Sequence, residues 1–118
     1  LDLNTGDYAW MVPLGTTPQR VAQNPALAGI NLPNTGGIGL HATLLVTKTL
    51  LTAGEGWGGE PMIRAYDKKT GAILGELSIP GQMASMPMTY MAGGKQYIAF
   101  TVGAPMQPAE LIALALPE

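Results

Sequence analysis

Few side chains in this sequence can do chemistry, and their types narrow the choices quickly. His41 is the only histidine, and an imidazole titrating near neutrality can serve as a general base or as a polar group beside a ligand. A lone histidine at the start of a strand more often ties backbone, and that is the reading adopted for His41. Glu55 and Glu60 flank Trp57 in the glycine-rich run 54–60. Two carboxylates beside an indole can hold a cation or steer a substrate stacked on the ring. A metal site needs further ligands at matching spacing, however, and none accompanies them. The plainer expectation is a solvated, mobile loop whose Trp57 caps a neighbouring element. Arg64 is expected as a structural hydrogen-bond donor at a strand end. Four of the seven methionines fall within 83–91 and read as core filling rather than a copper site. The absence of cysteine excludes disulfides and thiolate metal sites. No residue is assigned as catalytic or as a metal ligand.

The elements that must position these groups are strands and tight turns. The stretch Ala65-Tyr66-Asp67-Lys68-Lys69-Thr70-Gly71 ends one strand and begins another. The Asp67 carboxylate can accept from the amides just after it, and Gly71 can take the positive φ that closes the turn. The chain opens on the same pattern, Asp2 matching Asp67, Thr5 matching Thr70 and Gly6 matching Gly71, followed by Trp10. A repeated Asp-x-x-Thr-Gly hairpin at a constant offset points to an array of similar β units.

The 16 glycines and 10 prolines cut the rest into short segments, which suits an all-β protein. Tyr8–Val12 reads as a strand. Residues 13–39 read as an irregular insertion or connector, with room for a helical turn or two near 19–27. Strands are expected at 40–46, 49–53, 62–66 and 73–79, so 40–79 forms one complete four-stranded antiparallel unit. The pattern restarts with strands at 87–91, 96–101 and 111–116, and with loops at 92–94 and 103–109. Residues 1–12 then supply an outer strand to a preceding unit, and 80–118 form a last unit lacking its outer strand. The chain enters abruptly on the repeat without a methionine and is expected to be a piece of something longer. With 47% apolar and only 12% charged residues, much of its surface is expected to be covered by other protein. A net charge of −2 gives no electrostatic basis for binding nucleic acid.

The pattern Ala-x-Asp-x-x-Thr-Gly-x-x-x-Trp resembles the tryptophan-docking motif of the pyrroloquinoline-quinone (PQQ)-dependent dehydrogenases, which are eight-bladed β-propellers. The first copy fits from Asp2 through Trp10; the second, from Ala65, has Gly75 where the family has Trp. Pro87-Met88-Thr89-Tyr90 followed by Gly94-Lys95-Gln96-Tyr97 is similar to a late signature of that family. The ending Leu111 to Pro117 is similar to its C-terminus, and Asn34-Thr35-Gly36-Gly37 and Ile63 to Asp67 also match. Residues 13–33 carry no usable resemblance.

The resemblance implies about two blades of a propeller, from the C-terminal portion of a periplasmic quinoprotein that oxidises small alcohols or sugars. PQQ and calcium would sit on the propeller axis, a carboxylate taking the hydroxyl proton as a hydride passes to the quinone. The family's catalytic Asp and the Lys beside the quinone have no matching positions here, so the chain alone is expected neither to catalyse nor to hold the cofactor. In the family the cofactor face carries the loops that correspond to Gly36, Gly37 and Gln82-Met83-Ala84-Ser85, and these are the candidate cofactor contacts. Backbone amides in 82–85 can reach a quinone carboxylate because small residues allow close approach; a tight connector between blades is the competing reading. Asp2, Thr5, Gly6, Trp10, Ala65, Asp67, Thr70 and Gly71 are the structural motif residues. The expected partners are the remaining blades of a longer chain, or a head-to-tail ring of copies. The alternative function is a non-catalytic propeller module for assembly or binding.

Overall fold

A computed structural model describes residues 1–39 and 41–115. Two antiparallel sheets account for most of it. The first contains β1 (Ala42–Val46), β2 (Leu50–Glu55), β3 (Met62–Asp67) and β4 (Ile73–Ser78), in that order across the sheet. The second contains β5 (Met88–Ala92), β6 (Lys95–Ala104) and β7 (Gln107–Ala115), also in sequence order. Each strand pairs with its chain neighbour, as short connections favour. The only helical pieces among the described residues are α1 (Gln19–Ala22) and a 3₁₀ turn at Pro25–Leu27. Asn24 caps that turn by accepting from the Ala26 amide at 3.0 Å. The all-β, two-blade architecture expected from the sequence is the one observed.

The core lies between the sheets. Ile63 of β3 and Ile79, just past β4, cluster with Phe100 and Val102 of β6 and with Met83 of the connector. Ile98, Ile112 and Leu114 pack around this cluster. Strand alternation explains the selection: Ile98, Phe100 and Val102 share one face of β6, and register sets Ile112 and Leu114 beside Phe100 and Ile98 on the same face.

The two motif turns form the same hydrogen bonds one repeat apart. The Gly6 amide donates to the Asp2 carbonyl at 2.8 Å, and the Gly71 amide to the Asp67 carbonyl at 2.9 Å. Their glycines take φ of 79° and 74°, a conformation that costs other residues. Asp67 accepts from the amides of Lys69 and Thr70, each at 2.8 Å, and from the Thr70 hydroxyl at 3.0 Å. Those donors hold its carboxyl below the ordinary value.

Three expectations change. Tyr8–Val12 joins no ladder among the described residues. The region 103–109 is not a loop: β6 runs to Ala104 and β7 starts at Gln107, leaving a two-residue turn in which Met106 adopts φ 67°. Strand β2 continues to Glu55 rather than ending at Ala53. Leu40 and Leu116, expected in strands, lie outside the described residues.

Candidate functional site

Antiparallel connections alternate between the two ends of a sheet. One end carries the tight turns 47–49, 68–72 and 93–94; the other carries the β2–β3 loop, the β4–β5 connector and the β6–β7 turn. The connector joins the loop ends of both sheets. The Met83 amide donates to the Glu55 carbonyl at 3.0 Å, the Ala84 amide to the Thr101 carbonyl at 2.8 Å, and the Gly103 amide to the Gln82 carbonyl at 2.9 Å. The Thr101 amide in turn donates to the Ser85 hydroxyl at 2.9 Å.

The loop end is organised around Arg64. Its guanidinium is buried and meets three carboxylates: Glu55, Glu60 at 3.0 Å and Glu76 at 2.6 Å. Burial works against the charge, but the hydrogen bonds to Glu76, Glu55 and Glu60 outweigh it and raise the guanidinium pKa above its ordinary value. Glu55 is 2% exposed, and its second oxygen accepts from the Glu60 amide at 3.0 Å. The expectation of a solvated, mobile loop at Glu55 therefore fails, because a buried guanidinium demands a buried counter-charge. Glu60 is half-exposed; the Thr16 hydroxyl first, then Arg64, hold its carboxyl below the ordinary value against partial desolvation. Among the described residues no cluster of His, Asp or Glu is arranged to hold a metal ion.

The sequence candidates separate into two groups. Gly37 lies in a cleft of about 280 Å³ with Thr16, Gln19, Ile38 and the 58–60 loop; Gly36 packs against Pro13 and Leu14. Met83 and Ala84 line a second cleft of about 260 Å³ with His41, Thr43, Trp57 and Pro105. Between the two runs Gln82, whose side-chain amide donates to the Gly59 carbonyl at 2.6 Å and accepts from the Gly58 amide at 3.3 Å. The amides of Met83 and Ala84 at the second cleft, and of Gly37 at the first, are already used within the chain. Trp57 is exposed and forms one wall of it; the His41 carbonyl accepts from the Gly56 amide at 2.7 Å.

Sequence reasoning missed the Glu55–Arg64 pair, although a signal existed. Arg64 lies opposite Ala53, and Glu55 is two residues further along the same face, which makes the two diagonal neighbours across the hairpin. That inference needs the register, which the early end assigned to β2 concealed.

At the turn end, Trp10 of the first motif copy sits on the second. Its indole Nε1–H donates to the Lys68 carbonyl at 3.0 Å, and its ring covers Gly71 so closely that a Cβ there would lie 2.6 Å from it. Gly75, the second copy's equivalent position, faces open space.

The model of the PQQ family described as "Glucose/ethanol/alcohol dehydrogenase, beta-propeller domain" matches residues 1–98. That span runs through residues 13–33, where no resemblance was read. The chain is 34% identical over 94 residues to the glycerol dehydrogenase large subunit of Gluconobacter oxydans (strain 621H), covering 75% of this chain and 12% of that relative. It is 33% identical over 98 residues to the glycerol dehydrogenase large subunit of Gluconobacter thailandicus, with the same coverage. The chain thus spans about 12% of the length of these curated relatives. No solved structure matches it significantly.

Proposed function

Because the chain belongs to the β-propeller family of PQQ-dependent glucose, ethanol and alcohol dehydrogenases, we propose that it builds about two blades of a periplasmic quinoprotein that oxidises a small alcohol, polyol or sugar. In this reading residues 40–79 are a complete blade, 80–118 a blade lacking its outer strand, 1–12 the outer strand of the preceding blade and 13–39 an insertion. Glycerol enters as a substrate from the two Gluconobacter relatives. A strand from the remaining blades, or Tyr8–Val12 of a second copy, completes the open edge of β7, since an unpaired edge invites pairing. No helix among the described residues is long and apolar enough to cross a membrane.

The observation that carries the reading is the docking of Trp10 on Gly71 and Lys68. It is the contact through which one motif copy seats on the next, and it supports a ring of blades whose opposite end gathers the loops.

The residues of the second cleft fit one edge of a flat aromatic cofactor. The Trp57 indole offers a planar, polarisable wall, and Ala84 leaves room for close approach. Gln82 and Ser85 fix the connector behind that wall, while Gly36 and Gly37 shape the neighbouring loop. PQQ, with calcium beside it, would supply the hydride acceptor. Carboxylates on such a cofactor need cations, and Arg64 is committed to Glu55, Glu60 and Glu76. Other blades must therefore supply them, which is why this chain alone is not expected to retain PQQ.

The test is a chimera in which this chain replaces the matching segment of the G. oxydans large subunit. Uptake of PQQ with calcium, and dye-linked oxidation of glycerol, ethanol or glucose, is the expected result. A folded chimera that takes up no PQQ overturns the proposal in favour of a non-catalytic module.

A further inference from the structure

We infer that Glu55 is a positioning residue for the whole loop end: its carboxylate, locked by Arg64, sets where the two groups of proposed cofactor-facing residues stand relative to each other. The consequence for the cofactor rests on the proposed function; the geometry does not.

Four segments converge on this one residue, three on its side chain and one on its backbone carbonyl. One oxygen pairs with Arg64 of β3. The other accepts from the Glu60 amide of the β2–β3 loop. The Glu55 carbonyl accepts from Met83 of the connector. The fourth segment is the neck of the 18–33 excursion, where residues 14–17 meet 34–37. The Gly37 amide donates to the Leu14 carbonyl at 2.7 Å, and the Asn34 side-chain amide to the Gly15 carbonyl at 2.8 Å. The neck closes over Glu55 with no side chain between. A Cβ at Gly15 would lie 2.7 Å from its carboxylate oxygen, and one at Gly37 2.8 Å. Gly59 of the loop lies against the same side chain: a Cβ there would be 2.5 Å from the Glu55 Cβ and 2.9 Å from the carboxylate oxygen.

Gly37 and Gly59 do not have positive φ. Their backbone would accept other residues, so the reason for glycine at both is the Glu55 side chain they enclose, its carboxylate at Gly37 and its Cβ and carboxylate at Gly59. The carboxylate cannot swing away, because the guanidinium and the Glu60 amide hold both oxygens. Glu55 is therefore the wedge whose size and charge separate neck and loop, and the backbone it anchors holds the connector through Met83. Glu76, across β3 from Glu55 and half-exposed, has no hydrogen bond to these three segments among the described residues.

The experiment measures amide hydrogen exchange residue by residue in the chain and in Glu55→Gln, Gly37→Ala and Glu76→Gln. Glu55→Gln is expected to speed exchange at Gly37, Glu60 and Met83 together, by roughly tenfold or more, while the Val102 amide keeps its protection. Glu76→Gln is expected to leave those three amides unchanged. A change confined to Glu60, or an equal change in Glu76→Gln, overturns the inference. Should Glu55→Gln fail to fold, Gly37→Ala carries the test, since it keeps the charge and alters only the shape. Coupled loosening at Glu60 and Met83 supports positioning, and a change at residue 37 alone overturns it. In the chimera, Glu55→Gln is expected to weaken binding of PQQ, added with calcium chloride, by roughly tenfold, with Glu76→Gln within about twofold of the parent. Equal affinities in parent and Glu55→Gln remove the link to the cofactor face. If the parent chimera itself takes up no PQQ, the proposed function falls, and the exchange data still decide the positioning role.

Discussion

The turn end and the loop end of these sheets are held by different kinds of contact. In the motif turns, the bonds that close the turn join residues five or fewer apart, from Asp2 to Asp7 and from Asp67 to Ala72, and the distant contacts, Lys68 with Thr49 and Trp10, are added to a turn already closed. At the loop end the holding contacts join Glu55 to Arg64, Gly59 to Gln82 and Thr16 to Glu60, the last 44 residues apart. One end uses exposed carboxylates solvated by neighbouring amides; the other uses a buried ion network. The difference matters because a local turn forms whether or not the sheet is complete, whereas a buried charge is tolerable only after its partners have arrived. The end proposed to face a cofactor is thus the end that depends on the whole fold.

The largest break in this comparison is Arg64→Leu. It leaves Glu55 buried without its counter-charge and should cost about 3–5 kcal/mol, read as a lower urea midpoint at unchanged slope. A loss below about 1 kcal/mol would mean that the loop end is held by its hydrogen bonds and not by charge. Next comes Trp10→Ala at the turn end. The indole is only partly covered, so the loss should be roughly 2 kcal/mol, under the range for a fully buried aromatic.

The two motif copies sharpen the comparison further. Gly6→Ala and Gly71→Ala both place a side chain at positive φ, costing about 1–2 kcal/mol. At Gly6 nothing lies within 4 Å, whereas at Gly71 the new methyl meets the Trp10 ring. Gly71→Ala should therefore be the more destabilising, and the excess should vanish in a Trp10→Ala background, as a double-mutant cycle would show.

The smallest effect concerns acid. The carboxyls of Asp67 and Glu60 are both depressed in the folded chain, from ordinary values of 3.8 and 4.5. Each therefore contributes stability that is fully present above its ordinary value and is lost as pH falls through the folded one. Thr16→Val removes the largest cause at Glu60. NMR titration should then show the Glu60 carboxyl moving up toward 4.5 while Asp67 stays put. Movement of both would mean that the two ends are coupled.

Much of the turn end was legible in the residues. Asp, Thr and Gly at fixed offsets specify a turn through bonds that each residue makes with its near neighbours, and Trp10 follows at the spacing that seats it on the next turn. The strands of the first sheet were legible to within two residues from their apolar runs. The β6–β7 turn was not, because Gly103 and Pro105 read as parts of one long loop while the ladder runs past Gly103 to Ala104 and resumes at Gln107, leaving only Pro105 and Met106 to turn. The loop end was the least legible. Glu55 reads as a loop carboxylate when β2 is ended at Ala53, and two more residues of ladder carry it inside.

By itself, then, the sequence determined the all-β class, the repeated turn, the two-sheet organisation and the family resemblance, because each is carried by local bonding or by a periodic pattern. Only the tertiary structure decided that Glu55 and Arg64 are one buried pair, that Gly37 and Gly59 are glycines on account of that pair, and that the amides of Met83 and Ala84 are spent inside the chain. A charge becomes buried through the convergence of segments distant in sequence. Its partner is chosen by strand register and by the path of a connector, neither of which any single stretch of residues encodes.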